Sequence, residues 1–151
     1  MKLATLCYIR RDGKTLMLCS TKENHFKKDI WNGLGGKFER NETPEECVAR
    51  EVKEESGLII NNPKLCGFIT FPEQEGEDWY VFVFSADKFK GKLVQSPEGK
   101  LEWISNEKIM DLNVSEGDKI FMPWIFENKF FSAKFIYKNG ELKTHEVVFY
   151  A

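Results

Sequence analysis

Residues Gly36 to Leu58 read GKFERNETPEECVAREVKEESGL, and the rest of the chain can be understood from this stretch outward. Thr43 is a good N-cap, and Pro44 suits the first helical position, where a missing N–H costs nothing. Glu46, three residues after Thr43, completes a capping box. Val48 and Val52 lie four apart and share one face. Gly57 ends the helix as a left-handed cap. The stretch therefore predicts a short helix from about Pro44 to Ser56. At about 100° per residue, Glu51, Glu54 and Glu55 fall on one arc beside the Val48/Val52 stripe.

Such an arc needs compensation. Like charges at i,i+4 destabilise a helix by roughly 0.2–0.5 kcal/mol per pair in water. Near a buried wall the repulsion grows, because the effective dielectric falls. A hard divalent cation would offset it, since Mg²⁺ takes carboxylate oxygens, keeps several waters and binds substrate phosphates. The plain alternative is a solvated Glu/Lys helix in which Lys53 and Arg50 screen the carboxylates. The run before the helix, Trp31-Asn32-Gly33-Leu34-Gly35-Gly36, tips the balance. Glycine lets backbone approach a ligand closely. A glycine-rich loop feeding a carboxylate helix suits phosphate plus metal better than it suits a surface helix.

Leu3 to Ile9 reads as a strand, Arg11-Asp12-Gly13-Lys14 as a hairpin turn and Thr15 to Ser20 as the returning strand. Thr21 to Ile30 reads as a polar loop whose one aromatic, Phe26, is a local anchor or a lid over a ligand. After the helix, Asn61-Asn62-Pro63 is a breaker. Leu65 to Phe71 is a strand, Pro72 to Asp78 an acidic loop, and Trp79 to Phe84 an apolar strand in a central position. Gly91 to Lys100 is irregular, Leu101 to Ile104 a short strand, and Ser105 a cap for a short helix through Asp111. Ser115, with Asp118 three residues on, caps a second long helix that buries Ile120, Phe121, Trp124 and Ile125. Pro123 inside it predicts a kink or a short first turn. Lys129 to Tyr137 and Glu141 to Tyr150 flank Asn139-Gly140, the strongest hairpin signal in the chain. Strands mixed with two main helices indicate an α/β (α+β) sandwich with a mixed sheet.

A length of 151 residues suits one domain spanning 1–151, with a substantial core. Twenty-two basic against 24 acidic residues give a net charge of −2, which argues against a partner that is a nucleic-acid polymer. Leu3 to Ile9 is too short for a signal peptide, and no 18-residue apolar run exists to span a membrane. Cys7, Cys19, Cys47 and Cys66 form no CxxC pair and read as reduced thiols of a cytoplasmic protein. His25 and His145 read as structural or surface residues.

Every fixed position of the Nudix box is filled here: Gly36, Glu42 after five residues, Arg50-Glu51 after seven more, then Val52, Glu54-Glu55, Gly57 and Leu58. The stretch thus resembles the catalytic motif of Nudix hydrolases. The resemblance implies an α/β/α sandwich with a mixed curved β-sheet, and Mg²⁺-dependent cleavage of a diphosphate linkage, with Mn²⁺ as a possible substitute. On the matching positions Glu51 and Glu55 are metal ligands, and Glu54 is a third ligand or polarises water. The Gly36 carbonyl is a further ligand, and Arg50 orients the glutamates. Glu42 reads as structural. Lys37 is a candidate phosphate contact, or a surface lysine. Glu98, five residues before Trp103, matches an acidic residue that faces the metals in the branch acting on oxidised purine nucleotides.

WNGLGGK resembles the corresponding run of MutT-type nucleotide-pool-sanitising enzymes, which hydrolyse 8-oxo-dGTP to the monophosphate and pyrophosphate. This implies that Asn32 reads the purine edge, that Phe26 packs on the base, and that Asp118 matches a base-reading aspartate. Asp118 also reads as the capping partner of Ser115, and Asn32 as turn chemistry beside Gly33. The mammalian members carry a tryptophan three residues before that aspartate, where this chain has Ser115, so another aromatic must stack on the base or base selectivity is weaker. The alternative substrates are ADP-ribose and other nucleoside diphosphate sugars, in keeping with Pro72 at 14 residues after Leu58. A further alternative is a non-catalytic Nudix-like ligand sensor. The implied partner is a small-molecule nucleotide, and the implied assembly a monomer or homodimer.

Overall fold

Asp12 and Gly13 both take positive φ (53° and 73°), as do Asn139 and Gly140 (53° and 79°). These are the pairs that tight two-residue hairpins require. Around them the computed structural model describes residues 1–20, 29–96 and 98–150. The strands are β1 (Lys2–Arg11), β2 (Lys14–Ser20), β3 (Trp31–Asn32), β4 (Leu34–Lys37), β5 (Ile59–Ile60), β6 (Lys64–Gln74), β7 (Glu77–Ala86), β8 (Phe89–Lys90), β9 (Gly99–Ser105), β10 (Phe130–Lys138) and β11 (Glu141–Tyr150). The helices are α1 (Pro44–Ser56) and α2 (Glu116–Phe126).

Among the described residues, nine strands form one mixed sheet in the order β11-β10-β6-β7-β1-β2-β3, with β4 on β1 and β9 on β2. β1 is its centre. It runs parallel to β7 along one edge, from Lys2↔Trp79 to Ile9↔Ala86. Its other edge is shared: Ala4 to Cys7 pair with β4, and Ile9 to Arg11 pair with β2. The sheet therefore divides in the middle of β1, and β4 leads from the division into α1.

Alternation along the strands builds two cores. Cys7 and Ile9 of β1, Leu16 and Leu18 of β2 and Phe84 of β7 pack with Val48 and Val52 of α1. Tyr8, Met17 and Val83, one position out of phase, pack with Phe121, Met122 and Ile125 of α2. The result is an α/β/α sandwich with the mixed sheet between the helices. No helix among the described residues is long and apolar enough to cross a membrane.

α1 occupies the span that its capping signals predict. The Thr43 side chain accepts from the Glu46 amide while the Glu46 carboxylate accepts from the Thr43 amide, both at 3.0 Å. Gly57 caps the other end at φ 80°. α2 runs unbroken through Pro123.

Other expectations are corrected. Trp31 to Gly36 is not a loop but the two short strands β3 and β4. Pro72 to Asp78 is not a loop either: β6 and β7 continue into a long hairpin that turns at Glu75-Gly76. A bulge after Phe71 absorbs Pro72, and Asp78 and Gln74 tie the hairpin through the Glu73 amide and the Trp79 indole. From Ser105 only a single 3₁₀ turn, Ile109–Asp111, forms, and the Asn106 side chain instead accepts from the Thr15 hydroxyl at 2.7 Å. The small β5–β8 ladder has no counterpart in the sequence reading.

Gly35 sits where β4 presses on β1, at φ 152°, and a Cβ there would overlap the Thr5 carbonyl. Gly35→Ala should cost about 3 kcal/mol or more, or prevent folding. Urea unfolding measures this, and a variant within about 1 kcal/mol of the parent would show that β4 can move away.

Candidate active site

Arg50, on α1, is the hub. Its Nε and Nη2 fork onto Glu42 at 2.6 and 2.9 Å, and Nη1 reaches Glu51 Oε1 at 2.8 Å. Nη2 also donates to the Lys37 carbonyl at 3.0 Å, which fastens α1 to the end of β4. The i,i+4 contact with Glu54 is looser, at 3.3 Å, and Glu46 is engaged in the capping box instead. The dominant pairing thus runs to Glu42, eight residues upstream. Glu42 also accepts from the Glu39 amide at 2.7 Å. These bonds hold its carboxyl well below the usual range, at about 2, with the Arg50 hydrogen bond the main cause.

The glutamates differ by burial. Glu54 is open to solvent, with its side chain 56 % exposed. Glu51 is half-buried, and burial pushes its carboxyl up against the opposing pull of Arg50. Glu55 is only 5 % exposed. Burial pushes its carboxyl up to about 8, and Glu98 and Glu51 add to the effect, while the Gly35 amide, 2.8 Å away, opposes it. Glu98 itself is exposed, on the segment leading into β9, and its charge is felt by both Glu51 and Glu55. The structure thus brings Glu51, Glu54, Glu55 and Glu98 to one region.

Gly36 makes room for this region. A Cβ there would stand 2.5–2.7 Å from the Glu51 carboxylate, so only glycine lets that carboxylate lie on the strand. The Gly36 carbonyl faces the Thr5 hydroxyl at 3.5 Å and the Cys47 thiol at 3.7 Å. Among the described residues no group of three His, Cys, Asp or Glu side chains stands ready as a metal site. Yet a hard divalent cation fits the donors. They are carboxylates, one of them desolvated to the point of keeping its proton at neutral pH, beside a backbone cradle without a side chain.

The remaining candidates lie around a cavity of about 530 Å³ on the α2 side of the sheet. Asn32 and Asp118 both line it. Asp118 also caps α2, taking the Ser115 hydroxyl on Oδ1 at 2.8 Å, so its two readings are compatible. Trp79 and Phe71 supply aromatic faces in the cavity, whereas Ser115 offers none. Lys37 is exposed, with Nζ over the Trp79 ring at 5.5 Å. Phe26 falls outside the described residues. None of the box glutamates lines the cavity, but Thr5 and Leu6 do, and these pair with Gly36 and Gly35. The carboxylates and the cavity therefore meet across β4. Sequence reasoning missed the Gly35 amide as the support of Glu55, for which the paired glycines were the available signal.

The raised Glu55 carboxyl has a stability consequence. Between about pH 4.5 and 8 the unfolded chain loses this proton and the folded chain keeps it, so stability falls as pH rises through that window. In the presence of chelator, Glu55→Gln should flatten that fall and raise the melting temperature at pH 8. A melting curve with the parent's pH slope would show that water reaches Glu55.

A family model described as NUDIX domain matches residues 1–125. The chain is 35 % identical over 134 residues to the uncharacterized Nudix hydrolase YvcI of Bacillus subtilis, covering 85 % of this chain and 82 % of that protein. It is 31 % identical over 142 residues to the oxidized purine nucleoside triphosphate hydrolase of Danio rerio, covering 93 % and 90 %. The crystal structure of the MutT protein from Bacillus halodurans superposes with a TM-score of 0.83 at 30 % identity, covering 97 % of both chains. With the complete motif standing on a helix wired in this way, and likeness extending from end to end, the chain belongs to the Nudix hydrolases, on their MutT-type side.

Proposed function

We propose that this enzyme is a Mg²⁺-dependent nucleoside triphosphate diphosphatase, with Mn²⁺ as a substitute, that releases a monophosphate and pyrophosphate. Its substrates on this reading are oxidised purine nucleotides such as 8-oxo-dGTP. Nudix hydrolases generally use divalent metal ions and act on small-molecule nucleotides. The observation that carries the reading is the meeting across β4: a carboxylate cluster on one side, and on the other a cavity with aromatic walls whose polar side chains include Asn32 and Asp118. On this reading one nucleotide spans both. The likeness to the Danio rerio hydrolase of oxidized purine nucleoside triphosphates supports the choice of substrate. Four free thiols suit the reducing cytoplasm, where the nucleotide pool lies.

Glu51 and Glu55, with Glu54 and Glu98, would hold the metal, and the bare Gly36 backbone lets them gather. When bound, the cation supplies charge neutralisation on the phosphates. Arg50 keeps Glu51 in place through a short charged hydrogen bond. Glu54 and Glu98 are the carboxylates open to solvent, and so they are placed to take the proton of an attacking water. Lys37 contributes charge at the cavity rim for phosphate. Asn32 and Asp118 together offer donors and acceptors to a purine edge, Phe26 packs on the base, and Trp79 provides the aromatic face that Ser115 does not.

A panel of nucleotides with Mg²⁺ tests this. Oxidised purine triphosphates should be the best substrates, yielding monophosphate and pyrophosphate, and chelation should abolish turnover. Preference for ADP-ribose, with two monophosphates as products, would leave the metal site standing and refute the base assignment. Glu55→Gln should lower kcat by about two orders of magnitude or more while the fold survives.

Glu98→Gln should lower kcat with little change in melting temperature. A rate within about twofold of the parent would return Glu98 to the solvated surface.

A further inference from the structure

At one end of the cavity, β10 meets the N-terminus of α2 through a chain of hydrogen bonds. The Gly117 amide donates to the Tyr137 phenol oxygen at 2.7 Å. An amide N–H cannot reverse, so the phenol accepts there and has its own proton left to give. Its partner is Ser115 Oγ, at 3.5 Å. The Asp118 amide also donates into Ser115 Oγ, at 3.3 Å. Two donors thus point at the serine oxygen, and its single proton goes to Asp118 Oδ1 at 2.8 Å. The two backbone donors fix the phenol and the serine oxygens as acceptors at those bonds. Gly117 belongs to the same device, because a Cβ there would stand 2.6 Å from the Tyr137 hydroxyl.

Capping α2 requires only the bond from the Asp118 amide to Ser115. It requires neither a tyrosine from another strand nor a serine proton directed at a carboxylate that lines a cavity. Ser115, Tyr137 and Asp118 all line that cavity.

We propose that Ser115 and Tyr137 are positioning residues that hold Asp118 Oδ1 as a hydrogen-bond acceptor, so that the cavity selects a ring edge presenting N–H donors. The proposal rests on the base-reading role proposed above for Asp118. An oxygen that accepts the serine proton at 2.8 Å is held at that bond as an acceptor. A guanine-type edge presents two adjacent N–H groups to such a carboxylate. An adenine-type edge presents a ring lone pair beside its amino group, and the lone pair is repelled.

The test is binding to the intact protein in chelator, which keeps it independent of turnover. Calorimetry would give Kd for 8-oxo-dGMP and 8-oxo-dAMP, which share the oxidised C8 and differ at the opposite edge. The parent should favour 8-oxo-dGMP by about 10-fold or more, the discrimination expected when a buried polar group is left unmatched. Ser115→Ala and Tyr137→Phe should shrink that ratio, and Ser115→Thr should restore it. A Ser115→Ala protein that melts earlier but keeps the ratio would make Ser115 a helix cap alone and overturn the relay. Should that variant fail to fold, Tyr137→Phe decides in the same way. Asp118→Asn separates the two levels. If it leaves the ratio intact, base reading by Asp118 fails and the relay falls with it. If it collapses the ratio while Ser115→Ala and Tyr137→Phe do not, only the relay falls. A parent protein without preference also overturns the proposal.

Discussion

The fork between Arg50 and Glu42 is the constraint on which the site depends. One guanidinium reaches back to the turn before α1, across to the end of β4, and along the helix to Glu51. Both partners of the fork are largely shielded, at 20 % and 13 % side-chain exposure. Without the guanidinium, Glu42 and Glu51 would each lose the counter-charge that a partly buried carboxylate needs. With it, an acidic helix face can be kept close to the sheet instead of turning into water. The Gly35-Gly36 pair completes the arrangement from the strand side. One glycine donates its amide to Glu55, and the other leaves space for Glu51. The cost of a buried negative charge at Glu55 is what a cation would offset.

Legibility in the sequence followed the range of the interactions. α1 was readable to the residue because its determinants, Thr43, Pro44, Glu46 and Gly57, are local and each has a single physical use. The two positive-φ hairpins were readable for the same reason. The long β6–β7 hairpin was not, because Pro72 and a run of acidic residues look like loop. What keeps them in strand is a bulge and the bonds from Asp78 and Gln74. β4 was hidden by its own glycines, which serve a close approach to β1 that only the fold reveals. At the site, the glutamates were marked by spacing, while the Arg50–Glu42 pairing and the Gly35 amide were not, since both cross from one element to another.

The two faces of the sheet carry different tasks. α1 and its carboxylates pack on one face; the cavity with Asn32, Trp79 and Asp118 opens on the other. β1 and β7 reach both, β7 through Phe84 on one face and Trp79 on the other. Cavity residues sit on β3, the β6–β7 hairpin, α2 and β10, none of which contributes a box glutamate. If the cavity reads the base as proposed, nucleotide preference can be altered on those elements without touching the charged hub.

The parallel ladder between β1 and β7 bears on the order in which the molecule assembles. Lys2 lies opposite Trp79 and Ile9 opposite Ala86, so the central strand of the sheet is synthesised long before its parallel neighbour. Until β7 has emerged, β1 has only β2 and β4 beside it, along a single shared edge. Closing so long a loop costs chain entropy that no short-range contact repays, and parallel pairing of this kind is slow. Meanwhile the caps of α1 lie within its own stretch and do not wait for β7. The nascent chain thus carries the caps of its first helix beside half a sheet, with the apolar side of β1 awaiting cover.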